Sequence, residues 1–169
     1  MANRRKKPNS PPDEPWIWLT RRMLESYAYQ GLGINARRVL DFLMVEHMCH
    51  AGTENGRLLA PYKQLVKFGV AKSEICAAID ELEAFGFIDI SRGMRLGGRS
   101  QASRYRLTWL LTAQGEPASD RWTKISKATV TAFRLERKRQ KSLKRERKMW
   151  RRGLVALKAA KWGVPTQIL

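Results

Sequence analysis

The chain has 169 residues, 43% of them hydrophobic, with 33 Lys and Arg against 15 Asp and Glu and a formal net charge of +18. That length supports one domain with a core plus an appendage, and that charge favours a polyanionic partner, nucleic acid before an anionic membrane surface. Two Cys exclude a disulfide-rich secreted scaffold, no apolar run is long enough to span a membrane, and the basic N-terminus lacks the apolar stretch of a signal peptide, so the expectation is a cytoplasmic, nucleoid-associated protein.

Residues 1–15 hold four Pro and the cluster Arg4, Arg5, Lys6 and Lys7, and read as a disordered arm. Residues 16–19 are apolar, and Thr20 is placed to cap a short helix over 21–29, ended by Gly31 and Gly33. Asn35 suits the N-cap of a helix over 36–49, where Val39, Leu40, Leu43, Met44 and Met48 keep helical spacing. Residues 51–56 make a loop and 57–60 a brief strand. Pro61 fits the first turn of a helix over 61–68, and Gly69 and Val70 form a tight turn. A second helix over 71–85 carries Ile75, Ile79 and Leu82 on one face, with Gly86 at its C-terminal end. Residues 87–91 alternate as a strand, 92–102 form a loop with Gly93, Gly97 and Gly98, and 103–109 alternate again with Tyr105, Leu107 and Trp109 on one face. Trp16, Trp18 and Trp109 read as core.

The order is helix, short strand, helix, turn, helix, strand, glycine loop, strand, that of a winged helix-turn-helix domain over about 34–110. The expected fold is α+β and mainly helical, with a two-stranded wing and a long basic C-terminal helix. Charge divides the chain the same way. Residues 16–120 hold 13 basic and 11 acidic residues, whereas 121–169 hold 16 basic residues and only Glu136 and Glu146. The expected organisation is an arm (1–15), a domain with an N-terminal extension (16–112), a linker (113–119) and a basic helical tail (120–169), in which Ser119 or Asp120 caps the helix and Gly153 interrupts it. Between 134 and 152, 11 of 19 residues are Lys or Arg, so repulsion opposes the good helix propensity of those residues.

The runs INARRVLDFLMVEHM, NGRL, ELEAFGFIDISRG and SRYRLTWL, with WIWLTRRMLES upstream and GEPASDRW downstream, resemble the small winged-helix proteins of alphaproteobacterial chromosomes, phages and plasmids over about residues 16–123. The resemblance implies DNA binding, with transcription-regulator or replication-initiator roles. The basic tail lies outside it.

In such a domain the second helix of the helix-turn-helix enters the major groove, led by its N-terminal residues. Here these are Lys72 and Ser73, with Cys76, Ala77 and Asp80 on the same outward face; Lys72 suits a phosphate or guanine edge, and Ser73 a phosphate or the helix cap. Glu74 and Asp80 repel phosphates. The loop contributes Arg92, Arg95, Arg99, Arg104 and Arg106 without an acid, suited to the backbone or minor groove, although Arg106 is also placed to pair with Asp89. In the tail, Arg137, Lys138, Arg139, Lys141, Lys144 and Arg145 add non-specific affinity.

His47, Cys49 and His50 sit at one helix end, with 47 and 50 sharing a face, but no second cluster completes a metal set, and Cys76 reads as lone and core-like. Catalytic motifs are lacking, and Glu81 and Glu83 lie on opposite sides of a helix. The expectation is a non-enzyme without metal or cofactor, partnered by double-stranded DNA, with a homodimer left open and neither membrane nor small-molecule substrate indicated. Two alternatives stand beside it: an RNA-binding or nucleoid-type protein dominated by the tail, and an adaptor whose acidic helix binds a protein.

Overall fold

The computed structural model describes residues 14–162 apart from Met94, Gly97 and Gly98, with side chains undescribed over 94–100 and 152–162. The disorder expected of the N-terminal arm thus falls almost wholly outside the described residues. Two units divide the chain, 1–126 and 127–169.

The first unit opens with two short helices in place of the single one expected. Thr20 caps α1 (Arg21–Leu24), its hydroxyl accepting from the Met23 N–H at 3.2 Å, and Ser26 then caps α2 (Tyr27–Gly31) through the Tyr29 N–H at 3.1 Å. A second capping residue six positions after the first ends one helix by starting another. The long helix α3 (Ile34–Cys49) follows, burying Val39, Leu40, Phe42, Leu43 and Met44. Its N-cap is Gly33, not Asn35. The missing cap comes from afar: the buried Glu81 carboxylate accepts the Gly33 N–H at 2.6 Å.

After α3 come β1 (Leu58–Leu59), α4 (Tyr62–Lys67), a 3-10 turn (Lys72–Glu74), α5 (Ile75–Ala84), β2 (Ile88–Ser91), the short strands β3 (Arg95–Leu96) and β4 (Arg99–Ser100), and β5 (Arg104–Leu107). The fold is α+β and mainly helical. Its three-stranded antiparallel sheet runs β1–β5–β2, with Leu58 opposite Tyr105, Ile90 opposite Tyr105 and Ile88 opposite Leu107. Residues 95–100, expected as loop, carry a small antiparallel pair with Arg95 opposite Ser100 and Leu96 opposite Arg99. The core lies between this sheet and helices α3 and α5, whose Ile75, Ile79 and Leu82 are buried as the spacing predicts.

The helix α5 closes through Gly86 at φ +74°, with Phe87 N–H bonding Leu82 C=O at 3.0 Å and Gly86 N–H bonding Glu83 C=O at 3.1 Å. This is the Schellman arrangement. A Cβ on Gly86 would stand 2.7 Å from the Arg121 backbone carbon. Gly86→Ala should therefore cost about 3 kcal/mol, combining left-handed strain with a backbone clash; a loss under 1 kcal/mol in denaturant unfolding contradicts this.

The aromatic cluster centres on Phe87, which meets Tyr29 at 6.0 Å, Trp109 at 6.4 Å and stacks on Trp122 at 6.5 Å. Trp122 is buried and Trp109 half-buried. The core assignment fails for Trp16 and Trp18, which are 49% and 58% exposed. Their segment is extended, they pack on each other edge-to-face at 4.6 Å, and Trp18 meets the sheet through its backbone, its C=O accepting from Trp109 Nε1 at 3.2 Å.

The segment 113–119 is no free linker. Ser119 N–H and Asp120 N–H both reach Thr108 C=O, and Thr112 N–H bonds Glu116 C=O. The first unit accordingly continues through a 3-10 turn (Arg121–Lys124), where Asp120 accepts from Trp122 Nε1 at 3.0 Å, to residue 126. The second unit is the helix α6 (Lys127–Trp162), 36 residues long and about 54 Å at 1.5 Å per residue. It starts well after Ser119 and Asp120 and runs through Gly153, which does not interrupt it: one glycine costs only about 1 kcal/mol relative to Ala, and the Ala, Leu, Lys and Arg around it favour the helix.

Candidate nucleic-acid interface

The turn between α4 and α5 is held from behind by α3. Arg38 donates to Gly69 C=O, and Asn35, freed from capping, accepts the Ala71 N–H at 3.1 Å. Gly69 takes φ +93°, and Val70 is buried. This fixes where α5 begins. With Ile75, Ala78, Ile79 and Leu82 turned inward, Lys72, Ser73, Cys76 and Asp80 face solvent and Ala77 is half-buried. Ser73 does not cap α5: it sits inside the 3-10 turn, and neither that turn nor α5 has a side-chain cap. Cys76, read as core-like, is exposed, its Sγ 2.9 Å from the Tyr62 hydroxyl across α4 and α5. That hydrogen bond, with burial second, pushes the Tyr62 phenol up to about 12. Lys63 and Lys67 on α4 are exposed as well, and add positive charge that the helix spacing alone did not assign.

The five wing arginines separate. Arg106 is only 19% exposed in its side chain and is engaged within the domain: Nη1 meets Glu116 at 3.0 Å, Nη2 donates to Pro117 C=O at 2.6 Å, and Nε stands 4.0 Å from Asp89. It fastens the 113–119 segment to β5 and is removed from the candidate contacts, because a half-buried guanidinium so committed has no fork left for a phosphate. Asp89, its expected partner, pairs chiefly with Arg121. Arg92 meets Glu83 at 2.6 Å and Asp80 at 3.8 Å, but remains 62% exposed. An ion pair that open is worth under ~1 kcal/mol and yields readily to a phosphate. Arg104 is exposed and lines, with Arg57 and Gln101, a cleft of about 570 Å³. The side chains of Arg95 and Arg99 and the Gly97–Gly98 tip lie outside the described residues. Gly93 has a clear requirement: a Cβ there would fall 1.9 Å from Gln101 C=O.

On α6, Lys138, Arg139, Lys141, Lys144 and Arg145 are exposed and Arg137 half-buried. Arg139 reaches Glu136 at 3.7 Å, one turn back.

The histidines part company. His47 is buried with Nδ1 lacking a partner, while the exposed His50 faces Glu46 at 3.4 Å. His47 closes the last turn of α3 and His50 is its C-cap, the His50 N–H bonding His47 C=O at 3.2 Å. Among the described residues no group of three or more His, Cys, Asp or Glu converges. Burial, and then the His50 charge, hold the His47 imidazole below its ordinary value of 6.5. A value lower in the folded state means the unfolded chain takes the proton more readily. The stability is whole above pH 6.5 and falls as the pH drops below it. Unfolding midpoints measured from pH 7.5 to 5 should show this decline, and His47→Leu should flatten it.

Glu81 and Glu83, set aside as catalytic partners, have separate tasks: one caps α3, the other holds Arg92. Neither task was legible in helical spacing, because Gly33 lies 48 residues from Glu81. Among the described residues no helix is long and apolar enough to cross a membrane. Comparison with known proteins adds no relative: no protein family matches the chain, and no curated protein or solved structure is significantly similar to it.

Proposed function

We propose that residues 34–107 form a winged helix-turn-helix domain that binds double-stranded DNA, with the outward face of α5 in the major groove, the β2–β5 hairpin against the backbone or minor groove, and α6 adding sequence-independent affinity. The observation that carries this reading is the exposed start of α5, presenting Lys72 and Ser73 beside Lys63 and Lys67 over a turn braced by α3. An unobstructed helix start with basic neighbours is the arrangement that groove reading uses. The element order and the antiparallel sheet β1–β5–β2 agree with it.

The adaptor alternative rests on the acids Glu74 and Asp80; Arg92, 3.8 Å from Asp80 and 2.6 Å from Glu83, offsets part of the negative charge of that helix. The alternative in which α6 dominates and reads no sequence is favoured by the charge of 121–169. Selection from a pool of random duplexes decides between them. The proposal expects an enriched site; a pool that stays random means that the helix-turn-helix does not read DNA. The genomic position of enriched sites, upstream of genes or at a replication origin, then separates a regulator from a mobile-element replication initiator. On the selected site, Lys72→Ala or Ser73→Ala should lower discrimination by roughly 1–3 kcal/mol if the residue reads a base. Equal losses on selected and random duplexes would place that residue on the phosphates instead.

A further inference from the structure

The two sides of α6 differ in kind. At about 100° per residue, every basic residue between 134 and 151 except Arg139 and Arg147 falls on an arc of about 140°, and both acids lie off it. The opposite side carries a stripe at 4-3-4 spacing: Ala128, Ala132, Leu135, then Arg139, Leu143, Glu146, then Trp150. Leu135 and Trp150 are 61% and 70% exposed. Such large apolar side chains, repeated in line along a helix otherwise rich in charge, make a seam. An eleven-residue repeat keeps a nearly straight helix facing one partner along its length.

We propose that this stripe pairs α6 with α6 of a second copy of the chain, antiparallel. The charges on the seam choose the occupant and its direction. Run parallel and in register, Arg139 would meet Arg139 and Glu146 would meet Glu146. Run antiparallel about the midpoint between Ser142 and Leu143, Arg139 meets Glu146 of the partner twice, and Leu135 meets Trp150 twice. The sequence continues the register, setting Ala132 against Gly153 and Ala128 against Leu157. The middle levels thus match an apolar residue with an apolar one and a cation with an anion. Arg139 reaches Glu136, and Glu146 accepts from Ser142 at 3.2 Å, so both groups sit on the surface already oriented along this side. A lipid surface fits poorly, because two charged residues, Arg139 and Glu146, interrupt the apolar line. Pairing leaves both basic arcs pointing outward, where a polyanion reaches them.

The test is sedimentation equilibrium of the full chain, without nucleic acid, at about 150 mM salt, where the Debye length of about 8 Å screens one arc from the other. A monomer–dimer equilibrium is expected. Arg139→Glu and Glu146→Arg should each weaken the dimer on the order of tenfold, since each replaces two opposite-charge contacts by two like-charge ones. The double variant should return to near the original affinity. Net charge predicts otherwise: Arg139→Glu lowers the charge and would tighten a dimer limited by repulsion. Circular dichroism of each variant checks that the helix persists. A chain that sediments as a monomer at 100 µM, single variants that match the parent, or a double variant without rescue each overturn the proposal. Because no DNA is present, these outcomes are independent of the DNA-binding reading.

Discussion

Affinity for duplex DNA should fall by about a thousandfold or more between 50 and 200 mM salt. Each phosphate neutralised by Lys or Arg releases condensed counterions, so the logarithm of affinity falls linearly with that of salt, with a slope near −0.9 per contact. The chain has sufficient cations for six to ten contacts. Lys63, Lys67 and Lys72 stand around the start of α5, Arg104 lies at the base of the wing, and the exposed Lys138, Lys141, Lys144 and Arg145 project from α6. Arg106, bound to Glu116 and Pro117, should not count among them. Replacing Lys144 or Arg145 by Gln should reduce the slope by about one unit and weaken selected and random duplexes alike. Fluorescence anisotropy titrations across the salt range measure this. A titration nearly flat in salt removes the nucleic-acid reading.

The largest effect on stability should come from Asn55→Ala, which we expect to cost about 3–4 kcal/mol. Asn55 is fully buried. Its Oδ1 accepts the Leu107 N–H at 2.7 Å, and its Nδ2 donates among the carbonyls of Leu107, Leu110 and Leu111 at 3.0–3.2 Å. Its own C=O accepts the Ala113 N–H at 2.8 Å. One side chain thus ties the end of β5 to the turn that follows and holds both against β1. Truncation removes both kinds of bond at once and strands the Leu107 N–H where water does not reach, with a small cavity beside it. Asn55→Asp should not rescue it at neutral pH, since a carboxylate has no donor for the three carbonyls. Guanidinium unfolding of the full chain gives the difference directly, and a loss under 1 kcal/mol would show that those backbone groups find other partners.

Local pattern determined most of the skeleton. The spacing of Ile75, Ile79 and Leu82 placed the inner face of α5, and therefore its outer face, because a helix with one apolar stripe has only one way to bury it. Alternation of Tyr105 and Leu107 placed β5, Thr20 placed the start of α1, and Gly86 placed the end of α5, each through a rule that operates within a few residues. The charge of 121–169 separated the tail from the domain before any coordinate.

Contacts across long sequence separations decided the rest. Asn35 looked like a helix cap but braces the turn before α5, since Glu81, 48 residues from Gly33, already supplies the missing acceptor. Arg106 sits in a loop-and-strand run of uniformly basic residues, yet the fold returns Glu116 and Pro117 to it and takes it out of the interface. Trp16 and Trp18 have the composition of core residues, but an extended segment docked by one backbone carbonyl leaves their rings outside. Asn55 gave no sign in a polar loop sequence. Sequence determines which groups need partners; which partner each group receives depends on the distance between them after folding, and no local pattern contains that distance.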